Sequence, residues 1–225
     1  MRIAKARPSG FTMLEVLIAS VILMALTLMV FLLVVSSSNE EAREQIRVGM
    51  DARVLELLNL ISEDIRNSGP PYSNLDKLGG DTPLQAGDSF YEASLTPATQ
   101  RRFSLTLGRY SGFSVTGTTG TAEFKTVVRY SWRSARGEVP DNGKVDNKDG
   151  MADEGDIVRE ETTGGKTITS TICKNVVKRG LAFEMVGGTN PPKAIKVFIE
   201  VAGVDPKGKG KVMTARSSTS AAPRN

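Results

Sequence analysis

Apolar residues run almost without a break from Phe11 to Val35. A run of about 20 such residues forms a helix long enough to span a bilayer. After Ser36-Ser37-Ser38 the pattern changes but the helical period persists. Ile46, Met50, Val54, Leu57 or Leu58, Ile61 and Ile65 recur at three- or four-residue steps among charged residues, the mark of an amphipathic helix. Gly69-Pro70-Pro71 stops it. One helix of about 80 Å at 1.5 Å per residue is therefore expected, with Gly49 tolerated inside it. From Tyr72 to Thr99 the composition is that of a loop. Strand-like runs then follow at Phe103–Leu107, Phe113–Val115, Phe124–Trp132, Ile157–Glu160, Thr167–Cys173, Leu181–Val186 and Ala194–Val201. The Ser- and Ala-rich end is expected to fray. This order predicts an α+β fold: a long N-terminal helix, transmembrane in its first half and amphipathic in its second, packed on an antiparallel β-sheet head.

One acid, Glu15, interrupts the apolar run near its start. A carboxylate inside a membrane costs about 2.5–3.5 kcal/mol at a helix centre, so such a group is a functional-site hypothesis by default. A basic leader (Arg2, Lys5, Arg7) and a Gly10-Phe11 bond precede it. Cutting that bond would create a Phe11 amine, a counter-ion for Glu15. Two plainer readings explain less. A cleaved secretory signal has a shorter core, about 7–15 residues, and a small-residue cleavage site that Val34-Val35-Ser36 supplies poorly. A simple signal anchor, with the basic leader held in the cytoplasm, fits the length but leaves Glu15 unexplained unless it snorkels to the headgroups.

The residues Gly10-Phe11-Thr12-Met13-Leu14-Glu15, behind a short basic leader and before an uninterrupted apolar helix, resemble the cleavage and methylation motif of type IV prepilins and type II secretion pseudopilins. The resemblance implies that a prepilin peptidase cuts after Gly10 and methylates the new N-terminal Phe11. It also implies a pilin-like fold whose apolar helices bundle in a filament. There a buried Glu15 needs a partner or it protonates, and the Phe11 amine of a neighbouring subunit would set the axial register. Weaker similarity continues into the head at Glu63-Asp64-Ile65-Arg66, Val127-Val128-Arg129-Tyr130, Ile157-Val158-Arg159-Glu160, Asn175-Val176-Val177, Leu181-Ala182-Phe183, Ala194-Ile195-Lys196-Val197 and Arg224-Asn225. It resembles W-type minor pilins and J-type minor pseudopilins, subunits that act near a tip.

Charge and composition narrow the chemistry. The whole chain holds 29 basic and 25 acidic residues. Removing the leader's three leaves 26 against 25, a net of +1, which argues against a nucleic-acid partner. Lys207, Lys209 and Lys211, set among glycines, read as a solvated loop. The absence of histidine removes Ser-His-Asp and Cys-His nucleophiles and His-ligated zinc. The single cysteine, Cys173, permits no intrachain disulfide and reads as a buried thiol. The methionines Met24, Met29 and Met50 read as packing.

An acidic loop from Asp141 to Asp156 is the remaining candidate for chemistry. Calcium takes six to eight hard oxygens on a loop turned by glycine. Asn147, Asp149, Gly150 and Asp153 match positions three, five, six and nine of an EF-hand-type loop, with Met151 at seven and Asp156 at twelve. Position one fails, because Val145 stands there and Asp146 is one residue off. A solvated acidic hairpin loop is the competing reading. A carboxylate pair for glycoside hydrolysis lacks an aromatic platform, Tyr130 and Trp132 reading as sheet residues. No enzyme is expected.

These readings divide the chain into a leader (1–10), a transmembrane and assembly helix (11–35), its amphipathic continuation (36–68), a β-rich head (69–215) and a flexible tail (216–225). The expected partners are prepilin peptidase, other minor and major pilins or pseudopilins, the inner membrane and its assembly platform. The expected location is the inner membrane with a periplasmic head, then the filament. A signal-anchored periplasmic domain binding calcium and a ligand is the rival, and it predicts that residues 1–10 stay on the protein.

Overall fold

The computed structural model describes residues 12–69, 84–95, 101–116, 118–139, 142–146, 150–188, 192–205 and 211–223. Gly10, Phe11, Pro70, Pro71, Asn147, Asp149, Lys207, Lys209, Arg224 and Asn225 lie outside them, as does the leader.

Helix α1 (Met13–Arg66, 54 residues) runs through the expected serine stretch without a break. The chain divides into two units between Glu44 and Gln45. In the first, every side chain from Met13 to Val35 is exposed, and this part of α1 is long and apolar enough to cross a membrane.

In the second unit α1 continues to Arg66, and among the described residues nine strands follow: β1 (Ser68–Gly69), β2 (Ser104–Arg109), β3 (Gly112–Thr116), β4 (Thr119–Glu123), β5 (Thr126–Ser134), β6 (Gly155–Thr163), β7 (Lys166–Val186), β8 (Ala194–Val204) and β9 (Val212–Ala221). Seven form one antiparallel sheet in the order β1-β2-β5-β6-β7-β8-β9, and β3-β4 form a separate hairpin. Met50, Val54, Leu57, Leu58, Ile61 and Ile65 of α1 are buried against the sheet, with Leu105, Tyr130, Ile157, Leu181 and Ile199 among their partners. The three- and four-residue spacing on α1 and the two-residue alternation on the strands thus meet in one core. Residues alternate across the pleat, so Ala182 and Phe198 fall on the opposite face. There Leu84 and Phe90 cover them.

A buried polar group pins α1 to the sheet. Tyr130 donates its hydroxyl proton to Asp64 Oδ2. Arg159 on β6 donates to the same oxygen at 3.0 Å and to Glu161 at 2.7 Å. Burial and the adjacent Asp64 charge push the Tyr130 phenol far up, so it stays a donor.

Two expectations need correction. Thr167–Cys173 and Leu181–Val186 are parts of one 21-residue strand, β7. It pairs with β6 up to Val176, and with β8 from Val176 onward. Asn175 (φ 59°) and Arg179 (φ 48°) bend the chain within it. The flexible tail expected at 216–225 is instead strand as far as Ala221, paired with β8 down to Ile195. Ala215 and Ala221 face inward and are buried, while serines and threonines take exposed and half-buried positions. A strand with alanine as its buried residue carries little hydrophobic signal.

Candidate functional site

The N-terminal end of α1 is built by a reciprocal cap. Glu15 Oε2 accepts hydrogen bonds from the Thr12 backbone N–H (2.9 Å) and the Thr12 hydroxyl (3.1 Å). The Glu15 N–H in turn donates to Thr12 Oγ1 at 3.3 Å. Thr12 is thus the N-cap and Glu15 the N3 residue of a capping box. The box satisfies backbone donors that a helix start leaves orphaned. It also sets a carboxylate at the positive end of the helix dipole. Sequence reasoning gave Glu15 an intersubunit role and missed this one, although Thr-x-x-Glu before an apolar run is its signature. An ionised carboxylate has about four lone-pair sites, so the cap leaves room for an ammonium partner. Further along, Ser20 and Thr27 return their hydroxyl protons to the Leu17 and Leu23 carbonyls at 2.8 and 2.7 Å. The apolar run therefore hides its own polar atoms.

Gly10 and Phe11, the residues of the expected cut, lie outside the described residues. In the sequence Phe11 immediately precedes the N-cap Thr12. A new terminus there would begin one residue before the capping box.

The acidic loop is arranged around its own backbone. Asp146 Oδ2 accepts from Asn142 Nδ2 (2.6 Å) and the Val139 N–H (3.2 Å). Asp153 receives the N–H groups of Asn142 (3.1 Å) and Gly143 (2.9 Å). Glu138, which sequence reasoning did not include, accepts from the Asp146 N–H at 2.9 Å. Asp156 belongs to β6 rather than to the loop, opposite Arg133. Burial raises its pKa, with the Lys174 charge pulling the other way. β6 begins at Gly155, where a Cβ would sit 2.3 Å from the Arg133 carbonyl oxygen, so the close approach of the two strands needs glycine. Among the described residues no three His, Cys, Asp or Glu side chains converge as a metal site. Met151 is buried. Asn147 and Asp149 are outside the described residues.

Cys173 is buried on β7, and burial pushes its thiol up to about 11. At neutral pH it is a protonated packing group. Tyr130 and Trp132 both sit on β5, within or against the core.

No curated protein and no solved structure matches the chain. Over residues 5–31 the chain matches the prokaryotic N-terminal methylation motif, and that motif, above an apolar helix that ends on an antiparallel sheet, supports a type IV pilin-like or pseudopilin subunit.

Proposed function

We propose that this chain is a minor pilin or pseudopilin: a structural subunit cut by prepilin peptidase between Gly10 and Phe11, methylated at Phe11, and assembled with other pilins near the tip of a type IV pilus or type II secretion pseudopilus. The observation that carries the reading is the methylation motif over residues 5–31 set on a helix whose first turn holds Glu15. The large head and its similarity to W-type and J-type subunits support the minor, tip-proximal role. The inner membrane anchors the precursor through α1, and the head stands in the periplasm.

In this reading Glu15 has two tasks. It caps its own helix through Thr12, and it pairs with the Phe11 amine of a neighbouring subunit. Glu15→Val and Glu15→Gln separate them, because glutamine also serves at N3 of a capping box. Both variants are expected to be processed normally and to fail in filament incorporation, read as precursor and mature bands and as sheared-filament content. Normal incorporation of Glu15→Gln would assign Glu15 to the cap alone.

Calcium binding by the loop between Asp141 and Asp156 is a separate proposal. It rests on the EF-hand-like spacing and on Glu138, Asp146 and Asp153 lying in one folded segment. Asp156 is left out of the ligand set because it lies in β6. Calcium is expected to raise the melting temperature of the protein and EDTA to lower it by several degrees; an identical melting temperature in both would end the proposal.

A further inference from the structure

Among the described residues the first half of β7 has one strand beside it and not two. Residues Lys166–Thr171 and Cys173 pair with β6. On the other side β8 first meets β7 at Val176, opposite Val201. Beyond Val201, β8 continues to Val204 paired with β9 alone. Among the described residues no strand pairs with the outer edge of Lys166–Lys174. Alternate residues of an antiparallel strand direct their N–H and C=O away from the existing partner, so from Lys166 to Thr171 this edge presents a regular row of hydrogen-bonding groups, which a register shift interrupts before Cys173. Lys166 to Thr171 are exposed, Ile168 at 72%.

Beside the edge lies an open cavity of about 520 Å³, bounded on one side by Arg53, Glu56, Leu57 and Leu60 of α1 and on the other by Thr171–Lys174. Both walls belong to the same unit of the chain. The site therefore joins a backbone ladder to an apolar wall of Leu57, Leu60 and Ile172.

We infer that the free edge of β7 and the cavity beside it receive an extended segment of another protein, added to the sheet as a strand, with acidic residues at its ends and apolar residues between. An extended backbone is the form that a free sheet edge can pair with. The charges select the partner's ends. Lys166 and Lys174 stand at the two ends of the edge with no acid between them, and Arg53 faces it from α1. Asp156 offsets Lys174 in part, and Glu56 lies on the α1 wall. A second copy of this chain is disfavoured. In-register parallel pairing sets each lysine beside its own copy, and antiparallel self-pairing brings the lysine-bearing ends of two copies together. This inference concerns the head alone and stands apart from the filament reading.

The test uses the full chain in detergent and a nine-residue peptide of alternating valine and threonine with glutamate at both ends, about 30 Å long when extended. A second peptide carries lysine at both ends. Hydrogen exchange by mass spectrometry and fluorescence anisotropy are read together. The glutamate-ended peptide is expected to slow exchange within 166–174 and to bind about tenfold more tightly than the lysine-ended one, as two exposed charge pairs changing sign allow. Lys166→Glu combined with Lys174→Glu, both exposed, is expected to reverse that preference. No protection in 166–174, or protection elsewhere, would overturn the inference. Equal binding of both peptides would overturn it too, leaving the lysines as guards against edge pairing.

Discussion

At the scale of single residues, two carboxylates on α1 solve different problems. Glu15 closes the helix start and takes both Thr12 donors on one oxygen. Asp64, two residues before the helix ends, is buried and takes Tyr130 and Arg159 together. Arg159 is partly buried, so removing its partner leaves a charge that water reaches only in part. Asp64→Ala is expected to cost toward the lower end of about 3–5 kcal/mol, because Glu161 still holds the guanidinium. Denaturant melting of the full chain in detergent measures it. A loss below about 0.5 kcal/mol would show that the buried group does not hold α1 on the sheet. Neither role was read from the sequence. Thr12-x-x-Glu15 was visible but absorbed into the cleavage motif. The role of Asp64 is not legible in the sequence, since its partners lie 66 and 95 residues away.

At the scale of elements, what could be read depended on how much hydrophobic area each element buries. α1 was legible because its isoleucines and leucines recur at helical spacing over many turns. The central strands were legible because β-branched and aromatic residues alternate there. β9 was not, because its buried positions are Ala215 and Ala221 and its pairing energy is in the backbone. β7 was read as two strands because the bend at Asn175 and Arg179 interrupts the alternation. Truncation after Ala215 separates the two views of the C-terminus. Loss of a frayed tail leaves stability within about 0.5 kcal/mol. Loss of a strand bares the edge of β8 and is expected to cost more than about 2 kcal/mol, a fall in Tm of about 4–8 °C for a chain of this size. A change under one degree, on the order of measurement error, would mean that β9 beyond Ala215 contributes nothing to the sheet.

At the scale of the whole molecule, an exposed apolar helix and a sheet head ask for different solvents. Side chains from Met13 to Val35 are exposed along a length that suits a bilayer or a bundle of like helices. The head carries its own core in one sheet. One precursor can satisfy both by holding the helix in the membrane and later exchanging lipid for neighbouring helices. In the proposed filament role Glu15 would make that exchange specific, because a carboxylate moved out of water calls for a paired cation. In the acidic loop, spacing alone does not say which element a residue joins. Asp156 matched position twelve of a calcium loop, yet it lies on β6 opposite Arg133.

The most direct test is the N-terminus and intact mass of the protein isolated from the membranes of its native host, with Gly10→Ala as control. The account predicts a chain that begins at N-methylated Phe11, with the mass of residues 11–225 plus one methyl group, and a Gly10→Ala protein that stays at precursor length. A native chain that begins at Met1, or a Gly10→Ala chain shortened like the native one, would contradict it.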